Sequence, residues 1–279
     1  IMDYILAGKH HNLRIDDNGL VYSNGRDTAI TWMNSTANGR PVVPRTGYIV
    51  EFNALWYNAV CYALELAKKC GDKEFAAEWK ALPKQIKQSF IECFYLSDEG
   101  YLADYVDLRG ADKSIRCNQI IACGLPYTMV SEEQIVNILL VARQHLLTPH
   151  GLRSLSPEDP RFEATYKQNP LEQEAASKNG AVWVWPLMFY FECAFALQGE
   201  KFLAKAKEMY ESYDDNIQTY CIGSVAEYYD ANPPFAPRGA VSQAWSVGAL
   251  LYIQQLIEKQ EAKSVRASKR TAKKECKNK

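Results

Sequence analysis

The stretch GAVWVWPLMFYFECAFALQ, residues 180–198, is apolar all round. A helix without a polar face must be covered on several sides, so this one needs other helices around it. The rest of the chain supplies them. Residues 53–70, NALWYNAVCYALELAKKC, place Leu55, Ala59, Tyr62 and Leu66 on one helical face, and Gly71 is positioned to end that helix. Asp72 caps a second helix that runs to about Phe94, with a kink or break expected at Pro83. Residues 131–146 open on the capping box Ser-Glu-Glu-Gln, 200–213 read as an outer amphipathic helix, and 239–259 as a last helix. Strand signals are few and short, around 19–23 and 100–104.

Between the helices lie long polar segments rich in Trp, Arg, Asn, Asp and Pro: 12–52, 95–118, 147–179 and 217–238. A compact domain rarely carries such loops unless they have a job. Buried helix, exposed helix and long loop alternate. That pattern predicts helical hairpins set in a ring, with the loops gathered at one end. No repeat of 20 to 50 residues disturbs this reading.

Composition closes off other classes. Of 279 residues, 47% are hydrophobic and 23% charged, and the net charge is −1. This is globular composition, with no overall drive toward nucleic acid or an anionic membrane. No run approaches the roughly 20 apolar residues of a membrane helix. Residues 260–279 hold eight Lys or Arg against two Glu, and are expected to be a mobile basic end to a domain spanning 1–259. The eight cysteines form no C-x-x-C pair. Cys61, Cys70, Cys93 and Cys193 fall in apolar helical stretches, which reads as buried free thiols and a reducing, cytoplasmic setting. His10, His11, His145 and His150 have no ligand spacing, so neither a metal nor a cofactor is expected.

Three loop segments resemble the C-terminal glucosidase domain of glycogen debranching enzymes and, more distantly, glucoamylase-type enzymes. They are GLVYSNGRDTAITWMN with GRPVVPRTGYIVEFNALWYNAV (19–34, 39–60), LLTPHGLRSLSPEDPRFEATY with NGAVWVWPL (146–166, 179–187), and CIGSVAEYYDANPPFAPRGAVSQAWSVGALL (221–251). The resemblance implies an all-α (α/α)6 toroid, of which this chain is the C-terminal portion, so apolar helix faces are expected to lie exposed. It also implies inverting hydrolysis of α-1,6-linked glucose in an α-glucan such as glycogen or a branched dextrin, with no nucleic-acid or membrane partner. Such chemistry needs one group to protonate the leaving oxygen and a carboxylate to activate water.

By resemblance Glu227 is the general base. The expected acid position holds Asn34, and a carboxamide cannot protonate an oxygen. Glu51 and Asp27 are the nearest alternative acids, although Glu51 equally suits a helix N-terminus. A second departure is Gln173, Glu174, Ser177 and Lys178, where the family carries an Arg-Asp…Tyr-His stretch. Trp32, Trp56, Trp183 and Trp245 offer flat faces for sugar, with core packing the competing role for Trp56 and Trp183 on helices. Arg45, Asn53, Asn118, Gln119, Arg153, Arg238 and Gln243 offer donors for hydroxyls. Three functions remain open: a feeble α-1,6-glucosidase, a carbohydrate-binding relative without catalysis, and another (α/α)6 exo-glucosidase of glucoamylase or trehalase type. Glu227, Asn34, Trp32, Trp245 and Arg238 are expected to converge on one cleft.

Overall fold

The computed structural model describes residues 2–165, 169–220 and 222–277, with side chains as far as Arg266. Its helices are α1 (Met2–Leu6), α2 (Val50–Cys70), α3 (Lys73–Trp79), α4 (Leu82–Phe94), α5 (Asn118–Gly124), α6 (Glu132–His145), α7 (Pro170–Lys178), α8 (Leu187–Gln198), α9 (Glu200–Glu211), α10 (Asp214–Thr219) and α11 (Ala244–Lys277). The strands are β1 (Leu13–Ile15), β2 (Val21–Ser23), β3 (Thr36–Ala37), β4 (Arg40–Pro41), β5 (Gly47–Ile49), β6 (Tyr95–Leu96), β7 (Tyr101–Leu102), β8 (Tyr105–Asp107), β9 (Gly110–Asp112), β10 (Leu147–Thr148), β11 (Gly151–Arg153), β12 (Val182–Trp183), β13 (Ala226–Tyr229) and β14 (Pro237–Val241).

Four helices form an inner arc. α2 packs on α5, α5 on α8, and α8 on α11. A second layer lies outside: α4 against α2, α6 against α5 and α8, and α9 against α8 and α11. This is a partial (α/α)6 toroid. The apolar helix α8 sits where its composition requires, touched by α5, α6, α9 and α11, with Leu187, Phe191 and Ala194 at most 1% exposed.

Local rules set the helix ends. Ser131 accepts from Gln134 N–H while Gln134 Oε1 accepts from Ser131 N–H, a complete capping box. Gly71 closes α2 at φ 75°, a left-handed cap that a side chain would strain. Pro83 lies in the first turn of α4, so the break expected there is a new helix start.

Three local expectations are corrected. Residues 180–186 are not helical: β12 occupies Val182–Trp183, and α8 starts after Pro186, so Trp183 is on a strand. An unbroken apolar run cannot by its period distinguish strand from helix. The stripe Leu55, Tyr62 and Leu66 does not face the core, being 49%, 55% and 40% exposed; α2 buries Val50, Ala54, Trp56 and Val60 instead. Trp245, Leu251 and Tyr252 of α11 are exposed too, so apolar residues stand open on the first and last inner helices. Cys70 is exposed, Cys61 and Cys93 are half-buried, and only Cys193 of the four is buried, because Cys70 is the last residue of its helix. Cys221 and the Cys276 side chain lie outside the described residues.

The sequence expects a mobile end from residue 260, yet the described backbone carries α11 on to Lys277. No helix among the described residues is long and apolar enough to cross a membrane.

The long segments hold more strand than their sequence suggests. Those at 12–52 and 95–118 zip into one antiparallel sheet, order β1-β2-β5-β8-β9. A second, order β10-β11-β12-β13-β14, joins the later ones. These strands are two to five residues long, too short for alternation to show. β3 and β4 form a hairpin whose turn, Asn38-Gly39, has φ 51° and 74°, matching the left-handed turn that Asn-Gly favours.

Candidate active site

Glu227 lies in β13, where the register skips: Ala226 pairs with Val241, but Tyr228 pairs with Arg238. Gly239 and Ala240 therefore both oppose Glu227, in a bulge of the kind that re-aims a side chain. Gly239 is left-handed at φ 74°, and a Cβ there would lie 2.6 Å from Glu227 Oε2 and 2.7 Å from Tyr228. Ala240 N–H donates to Glu227 Oε2 at 2.9 Å, which fixes the carboxylate. Ser246 of α11 donates to the Glu227 carbonyl at 3.0 Å, tying the bulge to an inner helix.

An aromatic chain runs from this bulge. Tyr228 packs on Trp183 (4.9 Å between centroids), Trp183 edge-on to Trp32 (5.3 Å), Trp32 to Trp185 (5.0 Å), and Trp185 to Trp245 (5.5 Å). Trp32, Trp185 and Trp245 line a cavity of about 440 Å³ among α2, α5, α8 and α11, with Glu51 its one charged wall residue among the described residues. Asn34 is exposed two residues after Trp32. Its neighbour Ser35 shares a 3.2 Å hydrogen bond with Ser177, the residue before Lys178. Arg238 faces Tyr228 across the sheet and pairs with Asp230 through two bonds, 3.1 and 2.7 Å. The structure thus brings the segments of Trp32, Asn34, Glu227, Arg238 and Trp245 to one end of the arc.

Several residues expected to meet sugar are committed elsewhere. Asn53 accepts from Val21 N–H at 2.7 Å and donates to the carbonyls of Val21 and Ile49, bracing β2 on α2. Trp56 is buried, donates to Gly19 O at 3.1 Å, and packs on Trp79. Trp183 is buried and donates to Ser177 O at 2.7 Å. Gln119 bonds Leu102 N–H and Arg116 O. Gln243 accepts from the N–H groups of Trp245 and Ser246, where it caps α11. Arg153 donates to Ala231 O at 3.0 Å, joining loop to sheet. Except for Gln243, which caps an exposed helix start, each meets a buried or half-buried backbone group that needs a partner.

Arg45, the alternative acid Glu51, and Asp104 form one buried cluster, each at most 3% exposed. Arg45 pairs with both Glu51 oxygens and reaches Asp104 Oδ2 at 2.8 Å and its carbonyl at 3.0 Å. Asn118 donates to Asp104 Oδ1 at 2.7 Å and accepts from Trp32 Nε1 at 2.7 Å, so the cluster orients the indole. Burial alone would lower the Arg45 pKa, but Asp104 and Glu51 together raise it. Glu51 is thus spent on an ion pair and is poorly placed to give up a proton. Asp27 is exposed in the turn after β2. Asp104 is a residue that sequence reading misses; its signal is an acid flanked by apolar residues in Tyr101-Leu-Ala-Asp-Tyr-Val106.

Lys178, at the end of α7, is singled out by the sequence only as a departure from the family pattern, with no role attached. It is 6% exposed, and its Nζ lies 4.3 Å from the Trp183 ring and 5.7 Å from Trp32. Burial lowers its pKa to about 8, outweighing the charges of Glu174 and Glu227, which raise it. Below about 8 the folded state holds a buried cation that the unfolded chain solvates; above 10.5 both forms are neutral. Lys178→Met is therefore expected to stabilise the fold at pH 7 by roughly 1–3 kcal/mol. That gain should fade as pH rises from 8 to 10.5. Urea titrations at pH 7 and above 10.5 check this; equal gains at both would show that the charge costs nothing.

Comparison with known proteins places the chain in a family. A family model described as amylo-alpha-1,6-glucosidase matches residues 1–252. The chain is 24% identical to the glycogen debranching enzyme of Saccharomyces cerevisiae over 70% of its own length and 15% of that protein. Among solved structures it resembles the neutral trehalase Nth1 of Saccharomyces cerevisiae (TM-score 0.60, 14% identity, 84% of this chain and 41% of that one). It also resembles a GH63 mannosylglycerate hydrolase of Thermus thermophilus solved with glucose (TM-score 0.54, 18% identity, 75% and 48%). The chain therefore spans less than half of each of these relatives. With the model match running through the three loop segments that build this site, the chain belongs to the amylo-alpha-1,6-glucosidase family of glycoside hydrolases.

Proposed function

We propose that this domain hydrolyses α-1,6-linked glucose from a branched α-glucan with inversion, using Glu227 to activate water. The observation that carries the reading is the bulge at Gly239, whose left-handed backbone glycine adopts freely: it lets Ala240 N–H hold the Glu227 carboxylate, next to Tyr228, which packs on the indole of Trp183. Flat aromatic faces suit the C–H surface of a pyranose, and Arg238 adds a fixed cation. Glycogen is the substrate named by the curated relative, and a branched dextrin is its tractable form.

The test is glucose release from a branched dextrin by the full-length polypeptide, with the product anomer followed by NMR. Inversion of an α-linkage makes β-glucose the first product. Appearance of α-glucose first would show a retaining mechanism and overturn the role of Glu227. Asn34 favours one alternative, a relative that binds α-glucan without cleaving it, because the amide supplies no acidic proton. Dextrin binding with no glucose release would select that alternative.

A further inference from the structure

An inverting glycosidase requires a proton for the departing oxygen, and the buried acids near this site are held in ion pairs, which leaves the exposed Glu174 as the rival to be tested. Glu51 and Asp104 are paired with Arg45, and Asp230 with Arg238. Asp27 stands exposed in a turn. We propose that Lys178 is the proton donor: its ammonium, set against the indoles of Trp32 and Trp183, protonates the leaving glycosidic oxygen. This rests on the hydrolytic reading above.

Three observations support it. Among the described residues the Lys178 ammonium has neither an ion pair nor a hydrogen bond, only the two indoles. Its helix end is tied to the segment of Asn34 by the hydrogen bond between Ser177 and Ser35. The same end is fixed from behind, where Arg116 donates to the Lys178 carbonyl at 2.8 Å and to Asn179 Oδ1 at 2.8 Å. The charged groups around the ammonium are Glu174 on its own helix, Glu227 on β13 and Arg116 behind it, with the Cys117 thiol also near. With a pKa near 8 it is an acid suited to neutral pH, charged yet able to yield its proton.

The step balances without a co-reactant. Lys178 gives a proton to the glycosidic oxygen as the C1–O bond breaks, and that oxygen keeps the electron pair. Water attacks C1 from the opposite face and loses its proton to Glu227. The products are β-glucose and the shortened glucan, with a neutral amine and a protonated carboxyl on the enzyme. Transfer of that proton from Glu227 to Lys178 through solvent restores the starting state.

The test uses two substrates that differ in their need for acid. A sugar alkoxide leaves only with a proton, whereas fluoride leaves without one. In the full-length polypeptide, Lys178→Met is expected to lower turnover of a branched dextrin by about 10²–10⁴-fold, while α-glucosyl fluoride hydrolysis stays within about threefold. The wild-type dextrin rate should fall above about pH 8, a limb absent with the fluoride. Parallel loss on both substrates would make Lys178 a sugar-holding or structural residue and overturn the proposal. A dextrin-selective loss in Glu174→Gln, with Lys178→Met unaffected, would move the role to Glu174 and also overturn it. A wild type inactive on both substrates would instead fail the hydrolytic reading, and the donor assignment with it.

Discussion

Glu227→Gln is expected to reduce glucose release from a branched dextrin by about 10³-fold or more while sparing dextrin binding. The substitution is close to isosteric, and an amide oxygen can still accept the 2.9 Å bond from Ala240 N–H. The bulge and the sheet pairing should therefore survive, and only the capacity to take a proton from water is lost. Gly239→Ala probes the same atom by another route. Its Cβ would fall 2.6 Å from Glu227 Oε2 in a left-handed backbone, so the carboxylate must move. Since a 1 Å misplacement can cost about 10²-fold, Gly239→Ala should lower turnover by that order with the chemistry of Glu227 intact. Initial rates and dextrin affinity, measured together, check both. A Glu227→Gln variant that keeps wild-type turnover would move the base elsewhere.

Arg45→Met is expected to destabilise the fold by about 3–5 kcal/mol, the usual cost of leaving buried charges without their partner. Arg45 is 1% exposed and neutralises both Glu51 and Asp104, which lie within the same buried cluster. Surface pairs give the contrast. Arg14 bonds Asp16 at 2.7 Å but is half exposed, so Arg14→Met should cost under about 1 kcal/mol. Because Asp104 holds Asn118, and Asn118 holds Trp32, the Arg45 variant should also loosen the aromatic wall. Urea unfolding with an unchanged slope measures the first effect, and quenching of indole fluorescence the second. A shift for Arg45→Met no larger than that for Arg14→Met would contradict the cluster's role.

How much of this was legible in the chain depends on how local the cause is. The capping box at Ser131, the left-handed close at Gly71 and the break at Pro83 act within four residues, and the sequence shows all of them. The apolar run of α8 demanded neighbours on several sides, and a layered ring of helices provides them. The resemblance carried by the loop segments named the fold, since their order along the chain survives where overall identity to the solved relatives is only 14–18%.

What stayed hidden was partnership. Asn53 looks like a donor for sugar and Trp56 like a sugar-stacking face or a core residue, yet their polar atoms meet Val21, Ile49 and Gly19, up to 37 residues away. Leu55 and Tyr62 look like core, and they stand exposed. Lys178 sits between Ser177 and Asn179 in a polar stretch, so its burial against the indoles of Trp32 and Trp183, which come from different segments, is not legible in the sequence. Residue type determines what a side chain can do, and short-range spacing determines helix ends, because both act within a few residues. Whether a polar group meets backbone, an ion or open cleft is decided by chain segments tens of residues apart, which only the folded arc and its two sheets bring together.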